Sequence, residues 1–90
     1  MASLTEAQLK KIHGHSFRNE ASVMASHLCG CFHCLRIFAT VDIKPDDIYP
    51  ENDGVGTVWC PHCGIDSVLG DSIGIPITPD LLTVLKDEFF

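Results

Sequence analysis

Cys31-Phe32-His33-Cys34 and Cys60-Pro61-His62-Cys63 are two C-x-x-C pairs separated by Leu35 to Trp59. This spacing is a strong signal for a four-thiolate zinc site. A C-x-x-C turn sets two sulfurs on one side of a tight loop, where backbone amides reach the thiolates. Two such knuckles complete a tetrahedron around one Zn²⁺ with Cys31, Cys34, Cys60 and Cys63 as ligands. In Cys60-Pro61-His62-Cys63-Gly64, proline starts the turn and glycine accepts the backbone geometry just past the second ligand. Iron is the alternative metal, since all-sulfur tetrahedral coordination suits both. A disulfide pair and a thioredoxin-like C-x-x-C are weaker readings, because two pairs face each other and no βαβ frame surrounds either.

Cys29 is the fifth thiol, two residues before the first knuckle in CGCFHC. Three readings stand: a substitute for Cys31 as ligand, a small buried residue at a helix end, or a free thiol near the metal. His33 and His62 hold the inner knuckle positions, which point away from the metal and read as surface contacts.

Catalytic alternatives are poorly supplied. His13, His15 and His27, with Asn19 and Glu20, suggest a hydrolytic site, but a four-thiolate zinc is coordinatively closed and activates no water. No H-E-x-x-H is present, and Ser67 and Ser72 lie in no nucleophile motif.

Around these residues, ninety positions make one small domain, of a size often reinforced by a metal, disulfides or oligomerisation. An odd cysteine count and the lack of an apolar leader in MASLTEAQLKKIHGH favour a reducing, cytoplasmic setting with thiols as metal ligands. No apolar run is long enough to span a membrane. Charge is uneven. Residues 1–41 carry four cations against Glu6 and Glu20, whereas residues 42–90 carry ten acids against Lys44 and Lys86. Such a surface repels phosphate backbones unless its few cations cluster, and it suits a basic partner.

Coarse patterning gives a small α+β fold: a zinc-ribbon-like β-hairpin with two cysteine knuckles, flanked by N-terminal helices and a C-terminal helix. Three parts follow: a helical segment 1–28, a ribbon 29–64, and a loop and helix 65–90. Ser3-Leu4-Thr5-Glu6 fits a capping box opening a helix from Leu4 to His13. Phe17, Ala21, Met24 and Leu28 form one apolar stripe, predicting a second helix after Ser16 that ends at the cysteine cluster. Strands at 35–41 and 55–59 are expected to pair as the hairpin, with a loop over 42–53 and a turn of helix from Ile65 to Leu69. Thr78-Pro79-Asp80 starts the last helix, whose buried face is Leu81, Leu82, Leu85 and Phe89.

CGCFHCLRIF, followed by WCPHCGIDSVLGDSIGIPIT and a C-terminal helix ending in aromatics, resembles a family of small uncharacterised bacterial and phage cytoplasmic proteins with a zinc-ribbon-like pattern. The resemblance covers roughly residues 15–90. It implies a shared metal-bound fold with the same four ligands, and a family pattern that includes Cys29 and Gly64-Ile65-Asp66-Ser67-Val68.

The leading functional expectation is a non-enzymatic zinc-binding module that interacts with or regulates another protein, with Phe89-Phe90 as an apolar anchor. An inhibitor of a nucleic-acid-handling partner fits the charge. One alternative is a nucleic-acid-binding ribbon using Lys10, Lys11, Arg18 and Arg36; another is a metal-stabilised hydrolytic enzyme. A dimer that hides an edge strand or the last helix is also consistent with so small a core.

Overall fold

A computed structural model describes residues 4–90. Its elements are helix α1 (Glu6–Gly14), a short helix α2 (Glu20–Met24), strands β1 (Leu28–Cys31), β2 (Ile37–Ala39), β3 (Ile48–Pro50), β4 (Gly56–Val58) and β5 (Val68–Gly70), and helix α3 (Pro79–Phe89). The fold is small α+β with a zinc-ribbon-like pair of knuckles. Strand β1 is the axis of the molecule. It pairs antiparallel with β2 on one side and with β5 on the other, while β3 and β4 make a separate two-stranded ribbon.

Successive side chains of a strand point to opposite faces, so β1 separates two cores. Cys29 and Cys31 face a core built from Val23, Phe38, Ile43, Val58, Cys60 and Val68. The other face is covered by α1 through Leu9 and Ile12 and by α3 through Leu81, Leu82 and Leu85, with Phe32, Leu69 and Ile77 completing that core. Gly30 lies on that second face, and a Cβ there would sit 2.6 Å from Ile77 Cγ2 and 2.9 Å from Leu82 Cδ1. Only a residue without a side chain lets α3 approach the strand this closely.

Both long helices start as their residues dictate. Thr78 caps α3 by accepting from the Leu81 amide, with Pro79 at the first helical position, as the sequence predicts. At α1 the capping box is Thr5 with Gln8, each side chain bonded to the other's backbone. Ser3, the cap expected from the sequence, lies outside the described residues.

Four expectations are corrected. The apolar stripe does not make a long second helix. Only Glu20–Met24 is helical, and Phe17, Met24 and Leu28 are exposed. Arg18 instead takes a left-handed backbone (φ 53°), and Asn19 is buried with its amide spent on distant strands, which breaks the helix before Glu20. Strands 35–41 and 55–59 do not pair with each other; β2 returns to β1, and β4 pairs with β3. The loop 42–53 contains strand β3, entered through two short 3₁₀ turns. Finally, Ile65–Leu69 is not a turn of helix: Val68–Gly70 is β5, whose β-branched and aliphatic residues complete the β1 sheet.

Candidate metal centre

Each knuckle is the loop between two strands or their extensions, and the two loops repeat one hydrogen-bond template. Cys31 N–H donates to Arg36 O and Leu35 N–H to Cys31 O; Cys60 N–H donates to Ile65 O and Gly64 N–H to Cys60 O. The residue just past the second cysteine takes a left-handed backbone in both, Leu35 at φ 65° and Gly64 at φ 75°. Glycine meets that demand without cost in the second knuckle; leucine meets it under strain in the first.

This template gathers Cys31, Cys34, Cys60 and Cys63, with all four sulfurs within 4.8 Å of one another. The closest pairs cross between the knuckles, Cys31 Sγ to Cys63 Sγ at 3.6 Å and Cys34 Sγ to Cys60 Sγ at 3.7 Å. A tetrahedral ion with metal–sulfur bonds of 2.3 Å requires edges of about 3.8 Å. The donor set therefore suits a four-coordinate thiophilic metal, and the four residues picked out by spacing are the ones that converge. Cys31 and Cys60 are buried; Cys34 and Cys63 are half-buried.

Donors surround the sulfurs unequally. Cys31 Sγ receives the His33 amide at 3.3 Å and the Cys34 amide at 3.4 Å, and the buried Ser67 hydroxyl lies 2.9 Å away. Cys60 Sγ receives the His62 amide at 3.4 Å. Burial pushes the Cys31 thiol up, but the Ser67 hydroxyl and the two amides outweigh it, leaving Cys31 below the ordinary thiol range. Burial dominates at Cys60 and Cys63, whose thiols lie above that range, the adjacent Cys31 sulfur adding to the rise. Of these three thiols, Cys31 is therefore the readiest to ionise, and Cys60 and Cys63 resist it. A bound dication supplies the charge that lets all four ionise, and protons leave as it enters.

Cys29 does not join the cluster. It is fully buried in the middle of β1, its sulfur 3.3 Å from Thr40 Oγ1, and burial raises its thiol. Thr40 in turn donates to Ser26 O at 2.7 Å. Of the three sequence readings, the small buried residue holds, on a strand and not at a helix end.

Supporting residues come from far along the chain. Asn19 clamps the strands on either side of the second knuckle: its amide donates to Val68 O at 2.7 Å, and its carbonyl accepts from the Val58 amide at 2.9 Å. Lys86 on α3 donates to His33 O at 2.8 Å, tying the last helix to the first knuckle and bringing a positive charge beside it. Spacing along the chain carried no signal for Lys86; Asn19 stood out only beside the N-terminal histidines, and Ser67 only as a serine outside any nucleophile motif and within Gly64-Ile65-Asp66-Ser67-Val68.

The histidines do not assemble into a site. His62 is exposed, edge-on to Phe38 at 5.5 Å. His33 is half-buried, edge-on to Phe90 at 4.8 Å, so it is a packing contact more than a surface one. His13 stacks on Phe89 at 4.0 Å. Phe89 is thereby committed to the fold, which corrects the expectation of a free two-residue anchor; Phe90 stays 61% exposed. Among the described residues no helix is long and apolar enough to cross a membrane. No protein-family model, curated protein or solved structure matches this chain.

Proposed function

We propose that the protein is a non-enzymatic zinc-binding module that acts by binding another protein. The convergence of four cysteine sulfurs within 4.8 Å of one another, with two cross-knuckle pairs at 3.6 and 3.7 Å, carries this reading. Because the protein supplies all four ligands, the bound ion has no position for substrate or water and its role is structural. One Zn²⁺ per chain is the expected content, and thiols held reduced as ligands suit a cytoplasmic setting. The CGCFHC and CPHCGIDSV stretches then mark a family of small bacterial and phage metal proteins sharing this centre.

Charge supports a basic protein partner over nucleic acid. The β3–β4 ribbon and its approaches carry Asp46, Asp47, Glu51 and Asp53 beside exposed Tyr49 and Val55. Meanwhile the cations of the N-terminal half are partly spent: Arg18 pairs with Asp53 and Lys10 with Glu6. A nucleic-acid-handling protein, whose own basic surface an acidic module would occupy, is the partner class that fits.

Elemental analysis of the purified chain tests the metal. One zinc per chain, lost in Cys60→Ser, is expected; stoichiometric iron or no metal refutes it. Affinity capture with the wild type and Cys60→Ser tests the partner. A basic protein retained only by the wild type supports the module. Nucleic acid released by nuclease or high salt instead supports the ribbon as a nucleic-acid binder.

A further inference from the structure

The segment Asp71-Ser72-Ile73-Gly74-Ile75-Pro76-Ile77, between β5 and α3, takes no part in the metal centre. Its first residues are turned toward α2 and the start of β1: Asp71 accepts from the His27 amide, and the Ser72 hydroxyl donates to Ser22 O. Gly74 then takes a left-handed backbone (φ 89°), and Ile73 and Ile75 on either side of it lie half-buried against the helical core. With Leu4 and Ile12, these two isoleucines line a cavity of about 330 Å³. That volume falls within the roughly 300–1,000 Å³ range of small-molecule sites. The rest of the lining is polar and exposed: Gln8, Lys11 and His15, which continue one face of α1 at three- and four-residue steps.

Charge selects the occupant. In a chain of net charge −6, no acidic side chain among the described residues lines this cavity. Lys11 forms no ion pair among the described residues, whereas Lys10 pairs with Glu6 and Arg18 with Asp53. The C-terminal end of α1 brings about half a negative charge to the same region, less than the Lys11 ammonium alone supplies. No Phe, Tyr or Trp lines the walls, so a planar ring has no face to stack on. We propose that this cavity binds an aliphatic monocarboxylate. Its hydrocarbon chain lies among Leu4, Ile12, Ile73 and Ile75, and its carboxylate accepts from the Lys11 ammonium, with the His15 ring and the Gln8 amide as flanking donors. The site is separate from the four cysteines and from the acidic β3–β4 ribbon.

Octanoate is the probe, titrated into the whole folded chain with isotope-labelled isoleucine methyl groups and followed by NMR. The Ile73 and Ile75 methyl signals should shift saturably, with a Kd of about 1 mM or tighter, while those of Ile43 and Ile48 stay in place. Lys11→Met keeps the aliphatic stem and removes the charge, and should weaken binding about tenfold; Lys11→Arg should retain it. Lys10→Met makes the same change of net charge on a side chain outside the cavity, and should leave binding within about twofold of the wild type. Three results overturn the assignment. One is no saturable shift at Ile73 and Ile75. Another is a Lys11→Met chain that loses no more affinity than Lys10→Met. The third is octanol or octylamine bound as tightly as octanoate, which makes the cavity a seat for an uncharged apolar group.

Discussion

Leu35 and Gly64 perform the same backbone task with different side chains, which makes the pair a direct measure of knuckle strain. A leucine in the left-handed region costs about 1 kcal/mol. Leu35→Gly should therefore leave the zinc-loaded protein as stable or about 1 kcal/mol more stable in chemical denaturation, and Gly64→Ala should cost a similar amount. Protonation adds a second residue-scale prediction. In the metal-free fold the Cys60 and Cys63 thiols lie above the ordinary range, so both hold protons at neutral pH and must release them to ligate. Metal affinity should accordingly rise with pH and fall as pH drops, by about a hundredfold per unit for these two displaced protons. Chelator competition between pH 6 and 8 reads the slope directly; a flat profile would contradict the sign. Ligand choice was legible in the sequence because C-x-x-C spacing is a local property. The fate of Cys29 was not, because whether a thiol faces a metal or a threonine depends on which strands close around it.

At the level of elements, Asn19 links β4 to β5 through two buried hydrogen bonds. Asn19→Ala would leave the Val58 amide and Val68 carbonyl unpaired in the interior, each at about 1–3 kcal/mol. Stability should fall by about 3 kcal/mol, and exchange of the Val58 amide should accelerate more than that of amides in α3. The sequence pointed to the last helix correctly because Thr78-Pro79-Asp80 is a self-contained start signal. It misled on the second helix because Phe17, Met24 and Leu28 have helical spacing without a surface to cover. The buried polar Asn19 decides that segment, and periodicity counts only apolar residues. Strand pairing failed for a related reason. Short strands of three or four residues are assigned by partners far along the chain, and β1 meets β5 across 36 intervening positions or more.

Across the whole molecule, two small cores share one strand, and neither has the size to be independent. The four-cysteine cluster joins the knuckles on the β1–β5 side, while α1 and α3 close the opposite face. Chelating the metal should therefore do more than open a loop: both cores should loosen together. Trp59, adjacent to Cys60, is half-buried and packed against Tyr49 at 4.7 Å, so its fluorescence and near-ultraviolet dichroism should report the change. Loss of both signals with a cooperative fall in thermal midpoint is expected on adding a strong chelator, and recovery on adding Zn²⁺. A chain that keeps its midpoint after chelation would place its stability in the helices instead.

The alternation Cys29-Gly30-Cys31 along β1 has one more effect. Sliding β1 by a single position against β2 or β5 turns every side chain to the opposite face. Cys31 would then leave the other three sulfurs, and a side chain would be driven into the space against Ile77 and Leu82 that only Gly30 fits. A slipped pairing thus loses the metal and clashes with α3 at once. An ion held by the four cysteines would act as a proofreader of strand alignment, rewarding only the arrangement in which glycine meets the helix and cysteine meets the ion.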